Sequence, residues 1–161
     1  NLWIDTARPE LLELLGRVDG VVLNDEEARM LTGESSLIRA ARAVQGLGPR
    51  YVIVKKGEHG AFFVGEDARF ALPAYPVENV VDPTGAGDSF AGGFMGYLAD
   101  CENLEPRTLR RALLYGTVTA SFCVEGFGTE GLLGRGKAGD GRARRTAIES
   151  RFNELLEITS I

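Results

Sequence analysis

Short unbroken apolar runs, spaced by segments of helical periodicity, set the fold class of this 161-residue chain. Residues 20–23 (GVVL) are continuously apolar over a strand's length, the pattern of a strand buried on both faces of a parallel sheet. Residues 50–55 (RYVIVK) and 61–64 (AFFV) repeat that pattern around the turn 56–60 (KGEHG), and 69–77 (RFALPAYPV) adds a short pairing segment. The stretch 51–72 therefore reads as an antiparallel part of the sheet. Helices are expected between and after these strands. In 7–18 (ARPELLELLGRV), Pro9 suits the first turn, and Leu11, Leu14, Leu15 and Val18 make one apolar stripe. In 24–33 (NDEEARMLTG), Asn24 is the expected cap and Gly33 the stop. In 35–48 the inner face is Leu37, Ala40, Ala41, Val44 and Leu47. Further helices are predicted over 88–100, 106–124 and 146–158. Strand alternating with helix through most of the length implies an α/β layered fold.

With 44% hydrophobic and 25% charged residues, residues 1–161 have the material for one globular core, whole or partial. A net charge of −5 argues against a nucleic-acid partner held through its phosphates. Cys101 and Cys123 are the two cysteines and His59 the sole histidine, with no CxxC pair, which excludes a Cys/His zinc site. Isolated cysteines fit the reduced, structural thiols of a cytoplasmic protein. No apolar stretch reaches the roughly 18 residues of a membrane span, and no signal-peptide pattern is present. The opening NLWID lacks a Met and reads as the end of a buried strand. The chain is therefore expected to be a fragment whose unpaired sheet edge favours self-association into a homo-oligomer. Residues 131–145 (GLLGRGKAGDGRARR) are rich in Gly and Arg, lack apolar periodicity, and read as a mobile loop before the terminal helix.

The strongest candidate for chemistry is 80–94 (VVDPTGAGDSFAGGF), where two glycines and an Asp stand between an apolar run and a Gly-rich helix. A Rossmann fingerprint begun at Gly85 and Gly87 would need its third glycine at Phe90, so it fails. Residues 131–138 (GLLGRGKA) put Gly131, Gly136 and Lys137 at Walker A spacing, but Ala138 replaces the magnesium-binding hydroxyl and no strand leads into the loop. By contrast, DPTGAGDSFAGGF closely resembles the second signature of the PfkB, or ribokinase-like, family of carbohydrate kinases. The resemblance covers residues 1–130. It corresponds to the C-terminal, nucleotide-binding portion of a three-layer fold with a mainly parallel sheet, without the N-terminal half and lid. It implies an ATP-dependent phosphotransferase that uses Mg2+, and K+ as a candidate monovalent cation, to phosphorylate a hydroxyl of a sugar or nucleoside.

Physical chemistry agrees with that resemblance. Glycines would let the amides of Gly85, Ala86 and Gly87 converge on an anion at the positive end of a helix, opposing the charge of a transferring phosphoryl group. Gly92, Gly93 and Gly96 weaken a helix in isolation, which suggests close packing against the sheet. The resemblance makes Asp88 the catalytic base; the alternative is an acid that merely caps a helix dipole. A carboxylate is a weak base, but a loose transition state needs the proton removed only late. Asn24 and Glu27 match the family's N-x-x-E motif, which organises magnesium, its waters and phosphate oxygens, and the same spacing is also a capping box. Lys55, Lys56, Gly57 and Gly60 resemble the strand-to-turn segment under the nucleotide, with Lys55 where many members carry Thr. His59 in that turn reads as solvated. Thr117 falls in the segment bordering the adenine, where an Asn is often found. Asp82 and Thr84 lie where members hold the monovalent cation, although DPTG is also a good turn. Two functions stay open: the catalytic half of a small-molecule kinase, and a nucleotide-binding or structural module with no chemistry of its own.

Overall fold

The computed structural model describes residues 2–133 and 141–159, which divide into two units, 1–71 and 72–161. In the first unit the opening residues depart from expectation. Leu2–Thr6 is a helical turn, α1, and not the end of a strand. Its polar groups are satisfied locally: the Thr6 hydroxyl donates to the Leu2 carbonyl at 2.7 Å and the Ala7 amide to that of Trp3 at 3.1 Å. Leu2 and Trp3 are exposed, and Ile4 packs on the unit's core. Helix α2 (Arg8–Leu15) carries Pro9 in its first turn, as expected. Its buried stripe is rotated, however, with Leu15 buried, Leu11 and Leu12 packed beside it, and Leu14 exposed. Leu12 lies about 60° around the helix from Leu15 and Leu14 about 100°, so a stripe centred on Leu15 takes the former.

Strand β1 (Gly20–Asn24) is parallel to β2 (Tyr51–Lys55), with Val22 opposite Ile53. Strand β3 (Ala61–Val64) returns antiparallel to β2, with Phe62 opposite Val54, and β4 (Arg69–Leu72) completes the order β1-β2-β3-β4 of a mixed sheet. Outermost among the described strands, β1 buries only Leu23 fully, less than its unbroken apolar run suggested. Alternation divides the inner strands between two faces. Leu23, Val52, Val54 and Val64 join Ala28 and Leu31 of α3 (Asp25–Thr32) and Ala40, Ala41 and Val44 of α4 (Leu37–Gln45) in one apolar cluster. The inner face expected for α4 is thus observed, with Leu37 and Leu47 at its margins. Ile53 and Phe63 lie at the intervening positions, and the Phe63 ring stacks on Phe70 at 4.8 Å.

The second unit is built on the helices α5 (Ala86–Ala99) and α6 (Pro106–Cys123). They cross at two glycines. A Cβ on Gly93 would fall onto the Thr119 side chain and within 3.1 Å of Gly116 Cα, while one on Gly116 would sit 2.7 Å from the Phe90 carbonyl oxygen. Gly92 and Gly96 face open space, so of the three expected close-packed glycines only Gly93 is one, and its neighbour is a helix. The region expected as a loop is largely helical where described: α7 covers Glu130–Leu133 and α8 covers Gly141–Ile158. The terminal helix thus starts five residues early, its Arg and Ala residues being good helix formers despite lacking an apolar stripe. Gly136, Lys137 and Ala138 lie outside the described residues. Phe152 and Leu155 of α8 are buried in the core that contains Leu109, Leu113 and Phe122 of α6.

Candidate active site

The glycine-rich loop meets α5 through a conformation that only glycine enters without strain. Gly85, at the N-cap, has φ 80° and ψ −2°, in the left-handed region. No side chain caps the helix. The Ala86 amide donates to the Pro83 carbonyl at 3.2 Å, and regular helical bonding starts with Ser89 donating to Gly85 at 2.8 Å. Among the described residues no acceptor takes the amides of Gly85, Gly87 and Asp88. Three unengaged N–H groups at a helix N-terminus, with the macrodipole behind them, form a local anion-attracting end. Of the three amides expected to converge there, that of Ala86 is already engaged in the turn. Asp88 is exposed in the first turn of the helix.

Before the glycines, the Asp82 carboxylate accepts the Thr84 amide at 2.9 Å, closing a side-chain turn. That hydrogen bond holds the Asp82 carboxyl below its ordinary pKa. The end of α6 supports the loop from another side. The Val124 carbonyl accepts the amides of Val81 at 2.7 Å and Asp82 at 3.2 Å. The buried Cys123 thiol lies 3.6 Å from the Thr84 carbonyl, and 3.8 Å from where a side chain on Gly85 would begin. Sequence reasoning treated Cys123 as a reduced, structural thiol and did not find this support, since nothing local links residue 123 to residue 84. Thr117, six residues before Cys123 in α6, is buried and donates its hydroxyl to the Leu113 carbonyl at 2.9 Å.

In the first unit, Asn24 and Glu27 form a reciprocal capping box. Asn24 Oδ1 accepts the Glu27 amide at 2.7 Å, and a Glu27 carboxylate oxygen accepts the Asn24 amide at 2.8 Å. The pair closes the junction between β1 and α3, and Gly33 ends α3 in the left-handed conformation expected of a stop. At the end of β2, Lys55 and Lys56 lead into a single 3-10 turn, Gly57–His59. Gly57 (φ 56°) and Gly60 (φ 85°) supply its positive φ angles, and the Lys56 amide donates to the Gly60 carbonyl at 2.7 Å. His59 is exposed and 3.8 Å from the equally exposed Glu58. No cluster of three or more His, Cys, Asp or Glu that could cage a metal occurs among the described residues.

Sheet, helices and loop together define an α/β chain with part of the ribokinase-like fold. The chain belongs to the pfkB family of carbohydrate kinases, whose model matches residues 1–133. It is 40% identical to a cytidine kinase of Thermococcus kodakarensis over 114 residues, covering 66% of this chain and 41% of that protein. The aminoimidazole riboside kinase of Salmonella enterica, in complex with aminoimidazole riboside and an ATP analog, matches 89% of this chain and 46% of its own with a TM-score of 0.74 at 25% identity. A ribokinase II candidate from E. coli in complex with ATP and Mg2+ matches 91% and 43% with a TM-score of 0.70 at 28% identity. The chain thus spans less than half the length of each of these proteins. No described helix is long and apolar enough to cross a membrane.

Proposed function

We propose that this chain carries the ATP-binding and phosphoryl-transfer residues of a kinase that phosphorylates a hydroxyl of a sugar or nucleoside. One observation carries the reading: within DPTGAGD, a left-handed Gly85 opens α5 with the amides of Gly85, Gly87 and Asp88 unengaged and the Asp88 carboxylate exposed beside them. Those amides, with that of Ala86 shared with its turn, oppose the negative charge of the phosphoryl group in transfer. Asp88 orients the acceptor hydroxyl and takes its proton late, as a loose transition state permits.

The other candidate residues take supporting roles. Lys55, Lys56, Gly57 and Gly60 bind the nucleotide, the lysines meeting phosphate as point charges and the glycines admitting close approach. Thr117 borders the base through its apolar surface, its hydroxyl being donated within α6. Magnesium neutralises phosphate charge when bound. The donor set here suits an ion held mostly by water and phosphate oxygens, with Asn24 and Glu27 ordering that shell, because the described residues offer no protein cage. Asp82 and Thr84 are the candidates for a monovalent cation, K+ in particular. The protein acts in the cytoplasm on small molecules, and the edge of β1, outermost among the described strands, supports self-association. The second reading, a nucleotide-binding or structural module without chemistry of its own, is favoured by the reciprocal capping box, which gives Asn24 and Glu27 a role that needs no phosphate.

Asp88→Asn separates the two readings. In an enzyme containing this chain it lowers phosphate transfer to a panel of sugars and nucleosides by about 10²–10⁴-fold, while ATP-analogue binding measured by calorimetry stays within a few-fold. Turnover within a few-fold of the parent would reduce Asp88 to a helix-end acid. The 161-residue chain by itself is expected to bind Mg·ATP weakly without turnover, and robust transfer by it alone would overturn the module reading.

A further inference from the structure

Arg151, on α8, lies beyond the residues matched by the family model, and it is the most heavily engaged cation among the described residues. Its guanidinium donates to Ser121 Oγ at 2.9 Å and to both oxygens of Glu125, at 3.1 Å and 3.3 Å. It also lies over the Phe122 ring at 3.8 Å and the Tyr75 ring at 4.4 Å, and its side chain is 16% exposed. Ser121 passes the connection inward, donating to the Val118 carbonyl at 2.7 Å. Tyr75 is held in turn by Glu154, to which its hydroxyl donates at 2.8 Å. One planar fork therefore grips residues 121, 122 and 125 at the end of α6, together with the segment leading toward the loop.

Between those gripped residues lie the two that support the loop. Cys123 contacts the Thr84 carbonyl, and the Val124 carbonyl accepts the amides of Val81 and Asp82. We infer that Arg151 is a positioning residue: by clamping 121–125 it fixes the Val124 carbonyl and Cys123 thiol, and through them the approach of 81–85 to the N-terminus of α5. It touches neither the loop nor any reacting atom. The consequence for phosphoryl transfer rests on the function proposed above, whereas the consequence for the loop does not. An arginine suits the task because a rigid fork holds Glu125 bidentately while its flat face stacks on a ring, and a lysine ammonium can do neither.

The test compares two variants at the same α6–α8 packing. Arg151→Met removes the clamp. Arg111→Met, the control, removes the hydrogen bond from Arg111 to the Tyr97 hydroxyl (2.9 Å) and its stacking over Phe152 (5.1 Å), without touching residues 121–125. Amide hydrogen exchange of the 161-residue chain is followed at the hydrogen-bonded amides of Val81, Asp82, Thr84 and Ala86. Arg151→Met is expected to accelerate it about tenfold, and Arg111→Met less than about twofold. Glu125→Gln, which keeps the shape of the side chain but not its charge, should move the rates in the same direction if Arg151→Met does not fold. Equal acceleration in Arg151→Met and Arg111→Met, or none in Arg151→Met and Glu125→Gln, overturns the inference. In an enzyme containing the chain, Arg151→Met should lower kcat about tenfold with KM for ATP changed less than about threefold. Accelerated exchange with an unchanged kcat would overturn the catalytic consequence. Accelerated exchange in Arg151→Met, with no transfer activity in the unmutated enzyme that contains the chain, would instead refute the kinase reading and leave the clamp standing.

Discussion

The crossing of α5 and α6 makes opposite demands on glycines three residues apart or fewer, and alanine scanning should separate them. In an exposed helix interior, Gly→Ala is worth about 0.5–1 kcal/mol of added stability. Gly92 and Gly96 have nothing within 4 Å of an added Cβ, so Gly92→Ala and Gly96→Ala should gain that amount. At Gly93 the same methyl meets the Thr119 side chain and comes within 3.1 Å of Gly116 Cα. Thr119 cannot simply turn away, because its hydroxyl donates to the Tyr115 carbonyl at 2.8 Å. Overpacking of this kind costs about 1–3 kcal/mol, so after the propensity gain of about 0.5–1 kcal/mol Gly93→Ala should lose up to about 2.5 kcal/mol. Gly116→Ala should lose at least as much, since the Phe90 carbonyl at 2.7 Å is backbone and yields only if α5 shifts. Urea unfolding followed by far-UV circular dichroism would read these differences, equivalent to about 2–4 °C in Tm per kcal/mol for a chain of this size. The crossing also bears on the proposed chemistry, because Phe90 lies in the first turns of the helix that presents Asp88. A Gly93→Ala variant as stable as Gly92→Ala would refute the close-packing argument.

Three further outcomes follow from the local geometry. Gly85→Ala, forced to φ 80°, should lose about 1–2 kcal/mol by the same unfolding measurement, and no loss would show that the loop relaxes out of the left-handed region. Asn24→Ala removes one arm of the capping box and should destabilise the chain by about 1 kcal/mol; a neutral result would mean that solvent replaces the cap without penalty. The bond from the Thr84 amide holds Asp82 below the ordinary carboxylate value of about 3.9, so its contribution is present above that value and is lost as pH falls through the lower folded value. The Thr84 amide chemical shift should therefore titrate with a midpoint below the ordinary value, and a midpoint at or above it would refute the bond.

Features governed by neighbours along the chain were legible without a structure. The Asn24 cap, the Gly33 stop, the inner face of α4 and strand β3 are all found where local pattern puts them, because periodicity and capping act within a few residues. The family resemblance of the DPTGAGD loop belongs with them, and the family match over residues 1–133 agrees with it. Tertiary structure decided the rest. Residues 2–6 form a helical turn closed by their own backbone bonds, and among the described residues no strand pairs with them. Leu12 displaced Leu14 in the core, and Gly93 rather than Gly92 or Gly96 was closely packed, because only the partner surface sets the rotation of a helix. The Cys123–Thr84 contact and the Arg151 clamp join residues 39 and up to 76 positions apart. Packing energy between such residues depends on their meeting in space, and periodicity within one segment carries no record of it.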